Sequence, residues 1–363
     1  MIYASNVTAV SRRAATKAGR GICLGAENIG ENQYENDVLV AQQWRAQHVK
    51  PSQKCFGVLL DAVSSIPNAV CTYRLKRFSS IMNKLRRPGT HFELGALDDI
   101  GGCRVIVDSP SQVDQVVLVL KSNLGFKGRN PEKDYIREPQ KSGYRSHHLF
   151  AVVEDEGARY RVEIQVRTRL EHYWATAVEA MSEIYGHDYK SPPLPKEEES
   201  MDAERREFLK AVSALFALRE GTSPVPGSEG LVANDVIRRL KSLSCLDQLM
   251  IDLRASADSV FQPDAIDDGS GGLFLLEFSR ENQNLDVERF AVSELRDALR
   301  RYDSLERDIE GFTREKRNCI DGGGAYDNVV LSYAQNPEQL SVAYPNYSAN
   351  VNLFTDMLKQ YGI

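Results

Sequence analysis

The stretch YRVEIQVRT (160–168) alternates apolar and polar residues without a break. Tyr160, Val162, Ile164 and Val166 fall on one face of a strand, and Arg161, Glu163, Gln165 and Arg167 fall on the other. A period of two fits a half-buried strand and not a helix, so the chain around it must supply a sheet with one packed face and one polar face. The polar face is either the wetted side of an antiparallel sheet or a surface that carries chemistry. Alternation alone favours the first reading.

The neighbouring segments read as helices and strands laid around that strand. QYENDVLVAQQWRAQHVKP (33–51) reads as a helix that stops before its proline, and residues 52–70 continue helically. RLKRFSSIMNKLRRPG (74–89) reads as a basic helix or helix-loop ended by Pro88-Gly89. GCRVIVDSP (102–110) gives a short strand, after which Ser109 and Pro110 open a helix with Val113, Val116, Val117 and Leu120 as its buried stripe. Strands near 147–154 and 159–168 are followed by a helix at 169–185 that Gly186 ends.

At 363 residues the chain is long for one core, and its Pro-rich joints suggest where to divide it. KSPPLPKEEES (190–200) and GTSPVPGSEG (221–230) flank a helix at 202–219. Beyond them a helix (231–254), a strand (273–279), a long helix (287–310), a strand (328–334) and two short helices are expected. The expected organisation is a flexible arm over 1–30, a main α+β domain over 31–190, a helical linker over 191–230 and a small second α+β domain over 231–363.

No apolar run reaches the ~18–20 residues of a membrane helix, so no membrane partner is expected. The six cysteines are scattered without C-x-x-C or paired-histidine spacing. That argues against structural zinc and a disulfide framework, and for reduced thiols in a cytoplasm. The net charge of −6 conceals a basic window: residues 71–150 hold fourteen Lys and Arg against eight Asp and Glu. Such a field suits a phosphate-bearing ligand, although a chance surface excess has the same composition.

Within this window, DYIREPQKSGYRSHH (134–148) sets Lys141, Arg145, His147 and His148 around Gly143 and Tyr144. Glycine lets the backbone approach a ligand, the tyrosine ring offers a stacking surface for a base, and the cations offer phosphate contacts. Alone, the segment reads equally well as an exposed basic turn.

Four segments taken together are more specific. RLKRFSSIMNKL, DDIGGCRVIV, DYIREPQKSGYRSHH and VEIQVRTRLEHYWA stand in the order and spacing of the RelA/SpoT synthetase domain, and the resemblance covers about residues 35–190. It implies a mixed sheet flanked by helices, and transfer of the β,γ-pyrophosphate of ATP to a ribose 3′-hydroxyl. It also implies a synthetase without the family's hydrolase half. Carried onto this chain, it gives Arg74 and Arg104 to the adenine and Lys76, Ser80 and Lys84 to the phosphates of ATP. Asp99 and Glu163 would bind Mg²⁺, with Glu163 taking the proton of the attacking hydroxyl; Tyr144, Asp134, Lys141, His148 and Gln165 would hold the acceptor. The chemistry is coherent, because phosphoryl-type transfer needs positioning, cations on phosphates and metal-bridging carboxylates more than covalent help. Arg161 and Arg167 are also open to ion pairing, and Tyr173 and Trp174 to packing in the helix core.

WRAQHVKP, RTRLEHYWATAVE and the C-terminal AYPNYSA further resemble the CapRel group of fused toxin–antitoxin proteins. That resemblance implies a toxin that pyrophosphorylates the 3′ end of tRNA. The C-terminal pseudo zinc finger would act as an intramolecular antitoxin until a phage protein, such as the major capsid protein, binds. Ala343, Tyr344 and Tyr347 would form the neutralising motif, occupying the adenine slot. A Tyr-Pro-Asn-Tyr turn packed in its own domain is the plainer reading of the same residues. A nucleotide pyrophosphokinase making (p)ppGpp or (p)ppApp remains the alternative.

Overall fold

A computed structural model describes residues 9–87, 91–190, 201–256, 271–279, 284–315, 328–335 and 349–363. The first half runs α1 (Arg12–Leu24), α2 (Ala26–Ile29), α3 (Glu31–Ala46), α4 (Val49–Val63), β1 (Val70–Leu75) and α5 (Phe78–Leu85). It continues with β2 (Gly101–Val107), α6 (Pro110–Asn123), β3 (Glu132–Asp134), β4 (His147–Asp155), β5 (Ala158–Thr168) and α7 (Arg169–Tyr185). The second half holds α8 (Met201–Glu220), α9 (Ala233–Lys241), α10 (Leu246–Ala255), β6 (Gly272–Ser279), β7 (Asn284–Phe290), α11 (Leu295–Glu315), β8 (Asn328–Ala334) and α12 (Ala349–Lys359).

The eight strands among the described residues form one mixed sheet in the order β3-β4-β5-β2-β1-β8-β6-β7. β5 alternates as its sequence requires: Val162, Ile164 and Val166 are buried against α4 and α6, while Glu163 and Gln165 on the opposite face are half-buried. β2 lies parallel to β5 and antiparallel to β1, which brings residues from three distant segments into register. Capping boxes at Ser109/Gln112 and Thr168/Glu171 start α6 and α7, and Gly186 ends α7 in the left-handed region at φ 70°. Among the described residues, no helix is long and apolar enough to cross a membrane.

Several expectations are corrected. The expected flexible arm contains α1, whose Ala15, Ala18 and Ile22 are fully or nearly fully buried, because small and apolar residues recur at helical spacing and dock beside Leu94. Residues 70–75 are a strand, so Arg74 sits on the sheet; VCTYRL is rich in strand formers, and the helix waits until Phe78. Pro51 lies in the first turn of α4, where a missing N–H costs nothing, so the preceding helix ends earlier, at Ala46. The helix expected at 202–219 forms as α8, but it is packed and not a mere linker, burying Phe208, Leu215 and Phe216 against α7 and α12. The expected helix 231–254 is two helices, and the front of the expected long helix is β7. The C-terminal strands do not form a sheet of their own: β8 pairs with β1 through Val70↔Ala334 to Tyr73↔Leu331 and so continues the main sheet.

Candidate active site

Strand register builds the site. Across the polar face of the sheet, Thr72 on β1 stands opposite Arg104 on β2, which stands opposite Gln165 on β5, which stands opposite His148 on β4. One step along, Arg74 faces Gly102, which faces Glu163. α7 lies over this face and closes a cavity of about 820 Å³ lined by Arg74, Lys76, Asp99, Arg104, Tyr144 and Glu163, together with Ser80, Gln165, Arg167 and Glu179. That volume suits a nucleotide.

Asp99, just before β2, and Glu163, in the middle of β5, both line this cavity. Asp99 Oδ2 accepts from Lys84 Nζ at 2.7 Å and Lys76 Nζ at 3.2 Å. Burial opposes its ionisation, but the two ammoniums outweigh burial and hold the carboxyl below its ordinary range. Glu163 Oε1 accepts from His148 Nδ1 at 2.9 Å, and Oε2 accepts from Gln165 Nε2 at 2.9 Å. Burial again raises its pKa, His148 and Gln165 lower it, and the net displacement is downward despite the nearby charge of Asp99. His148 Nε2 in turn lies 2.8 Å from the Tyr144 hydroxyl, so a Tyr144–His148–Glu163 chain fixes the orientation of the carboxylate.

Asp99 Oδ1 is buried without a hydrogen-bond partner and is thus open to a cation. Among the described residues, no group of three or more His, Cys, Asp or Glu could hold a metal by itself. Asp99 and Glu163 are the carboxylates that could hold a hard divalent cation such as Mg²⁺ here.

At the other end of the cavity, Arg74 and Arg104 are pressed down to about 10 by burial and by neighbouring guanidiniums, yet remain charged at neutral pH. Glu179, on the inward face of α7, faces them. Burial would raise its pKa, but Lys190, Arg104 and Arg74 bring it down to about 2.

Of the residues expected from sequence, Arg74, Lys76, Ser80, Asp99, Arg104, Tyr144, Glu163 and Gln165 line this cavity. Lys84 and His148 stand directly behind it, on Asp99 and Glu163. Asp134 and Lys141 do not line it. Asp134 Oδ1 caps a turn, accepting from the backbone N–H groups of Ile136 and Arg137 at 3.0 Å each, and Lys141 is exposed on its loop. Arg161 pairs with Asp98 at 2.9 Å, whereas Arg167 is buried and lines the cavity. Ala343, Tyr344 and Tyr347 lie outside the described residues.

The sequence reading missed the roof. Glu179, Ser182 and Glu183 lie at helical spacing on α7, with Gly186 just past its end, and that spacing was the available signal. It also missed how the loop at 140–146 is held. Arg145 is 2% exposed, with Nη2 3.3 Å from both Glu171 Oε1 and Glu220 Oε2. Ser213 Oγ on α8 donates to the Gly143 carbonyl at 2.5 Å. Gly143 has φ 91°, and a Cβ there would stand 3.0 Å from that of Ser213, so only glycine fits comfortably.

Residues 73–189 match the family model described as the region found in RelA / SpoT proteins. The chain is 28% identical over 171 residues to the GTP pyrophosphokinase YjbM of Bacillus subtilis, covering 43% of this chain and 81% of that protein. It is 35% identical over 111 residues to the GTP pyrophosphokinase YwaC of the same organism, covering 28% of this chain and about half (52%) of that protein. A solved structure of small alarmone synthetase 1 from Bacillus subtilis, bound to its product pppGpp, aligns at 25% identity and a TM-score of 0.38, over 53% of this chain and 94% of that one. Residues 73–189 thus carry the region found in RelA / SpoT proteins, set into a sheet that the flanking segments complete.

Proposed function

We propose that this domain is a pyrophosphokinase that moves the β,γ-pyrophosphate of ATP onto a ribose 3′-hydroxyl. The observation that carries the reading is the convergence of Asp99, held by Lys76 and Lys84, and Glu163, held by His148 and Gln165, on one cavity walled by arginines. Arg74 and Arg104 take the base of ATP, and Lys76, Ser80 and Lys84 take its phosphates. Glu163, oriented by His148 and Gln165, accepts the proton of the 3′-hydroxyl as that oxygen bonds to the β-phosphorus and the bond to the α-phosphate oxygen breaks, releasing AMP. Bound Mg²⁺ would neutralise phosphate charge.

A guanosine nucleotide is the acceptor that the relatives favour, since both are described as GTP pyrophosphokinases. The tRNA 3′ end is the second reading, supported by the CapRel-like motifs and the basic window. The ion pairs weaken the electrostatic part of that support: Lys121 pairs with Glu132 at 2.6 Å, Lys127 with Asp98 at 2.8 Å and Arg137 with Asp134 at 3.3 Å. Cations already paired contribute less to holding a polyanion. Restraint by the C-terminal segment until a phage protein binds belongs to the same proposal, and the seating of β8 beside β1, with Val330 in the cavity wall, supports a regulatory role for that segment.

The test is to incubate the full chain with γ-labelled ATP and either GDP or tRNA. Label in a small nucleotide supports the first acceptor, and label in tRNA supports the second. Glu163→Gln should lower transfer ~10²–10⁴-fold. Transfer that survives unchanged in Glu163→Gln and Asp99→Asn would refute the assignment.

A further inference from the structure

We propose that Glu179 selects the donor nucleotide by accepting a hydrogen bond from the 6-amino group of adenine, so that the cavity takes ATP and rejects purines carrying a 6-oxo group. The inference rests on the nucleotide reading above and extends it to a residue on the roof that the phosphate chemistry does not use.

Polarity along the cavity comes first. Lys76, Lys84 and Asp99 mark the phosphate end. Arg74 on β1 precedes Lys76, just past the end of the strand, by two residues, and Arg104 stands opposite Thr72, a further two residues back. Each two-residue step along a strand advances ~6.5–7 Å, so the guanidiniums lie about one and two steps from the phosphate end, the reach from a nucleotide's phosphates to its base. The base therefore lies against Arg74 and Arg104, whose planar cations stack on aromatic rings.

Glu179 faces the same two cations from α7. Its Oε1 is paired with Lys190, and its side chain is about one-quarter exposed (27%), so it borders the cavity space. With Lys190, Arg104 and Arg74 around it, it stays ionised throughout the neutral range, and an ionised carboxylate only accepts hydrogen bonds. Adenine offers a donor at its 6-position. Guanine and hypoxanthine offer a carbonyl oxygen there, which would face the carboxylate as one acceptor against another. A buried acceptor left facing the wrong group discriminates more strongly than a change of shape.

Isothermal titration of the full chain with ATP and with ITP, each with Mg²⁺, tests the inference without requiring turnover. Wild type should bind ATP at least ~10-fold more tightly than ITP. Glu179→Gln, whose amide can donate as well as accept, should bring the two within ~3-fold, mainly by improving ITP. Glu154→Gln, at an exposed carboxylate on β4 that does not line the cavity, should keep the wild-type ratio. Should Glu179→Gln fail to fold, Glu179→Asp withdraws the charge by one methylene and should narrow the preference. A folded Glu179→Gln with the wild-type ratio, or a wild type indifferent to the 6-substituent, would overturn the proposal. Binding of neither nucleotide would overturn the nucleotide reading of the cavity, and this inference with it. Nucleotide binding with the expected selectivity but no transfer to GDP or tRNA would leave the inference standing and sink only the proposed reaction.

Discussion

The Tyr302 hydroxyl accepts the backbone N–H of Leu75 at 3.1 Å, joining residues 227 positions apart. β8 pairs with β1 only as far as Tyr73↔Leu331, and the next outward-facing N–H of β1 is the one that Tyr302 takes. The hydroxyl also donates to Glu306 Oε1 at 2.8 Å. Tyr302→Phe keeps the ring but strands a buried donor and withdraws a partner from Glu306. It should cost ~1–3 kcal/mol, read from urea denaturation midpoints at constant m-value. A loss below ~0.5 kcal/mol would show that the hydroxyl does not brace the strand that carries Arg74.

The same clamp continues through a buried ion pair. Glu306 Oε2 accepts from Arg45 Nη2 at 2.9 Å, and Arg45 Nε donates to the Lys76 carbonyl at 2.7 Å. Both side chains are about 7% exposed or less, at 7% and 6%. Removing one member of such a pair costs far more than the pair contributes, so Glu306→Ala should lose ~3–5 kcal/mol. Glu156→Ala breaks a pair with Lys50 whose side chains are 64% and 71% exposed, and should change stability by less than ~0.5 kcal/mol. Similar losses in the two variants would contradict the burial argument.

Glu171 gives a pH dependence of definite sign. Burial is the largest influence, Glu220 adds to it, Arg145 opposes it, and the net pKa lies above the ordinary carboxylate value. A carboxyl whose folded pKa is raised is more protonated in the fold than in the unfolded chain. Its contribution is complete below the unfolded value near 4.5 and is lost as pH rises toward the folded one. Glu171→Gln keeps the side-chain cap on the Thr168 N–H and removes the titration. The variant should therefore gain on wild type between pH 5 and pH 8 in urea denaturation midpoints. A difference that stays constant or shrinks across that range would reverse the assignment.

How far the sequence could be read followed from the range of the interactions. Period-two alternation placed β5 and its polar row, and Ser109 and Gly186 each bounded a helix, because these signals lie within a few residues. Tertiary packing governed the rest. Arg74 belongs to a strand because β2 pairs with it and β8 pairs with the residues just before it, and neither neighbour is visible from RLKRFSS. α1 is ordered because Ala15 and Ile22 find a surface supplied by α3 and Leu94. Asp134 and Lys141 stood in motif order with the site residues, but order along the chain does not say which way a turn residue faces. Glu179 was hidden because an acid on a helix looks like solvent exposure until the sheet beneath it is known to carry two arginines.

Adjacent glycines on β2 point to opposite faces, and they separate folding from function. A Cβ on Gly101 would lie 2.1 Å from Ser52 Oγ, in the buried layer beneath α4. Gly101→Ala should cost ~1–3 kcal/mol through that overlap. Ser52→Ala should recover part of the loss, since the next nearest atom, Ser52 Cβ, stands at an ordinary 3.5 Å. A Cβ on Gly102 would meet only the Arg74 carbonyl oxygen, at 3.9 Å, so Gly102→Ala should be neutral or stabilising by up to ~1 kcal/mol. Gly102 lies in register between Arg74 and Glu163 on the cavity floor, so a larger residue there grows into the space assigned to the nucleotide. Gly102→Leu should retain the fold by circular dichroism and lose at least ~10-fold in ATP affinity, because the added side chain displaces ligand from the surface that Arg74 and Glu163 share. Undiminished ATP binding in a folded Gly102→Leu protein would place the nucleotide somewhere other than this floor.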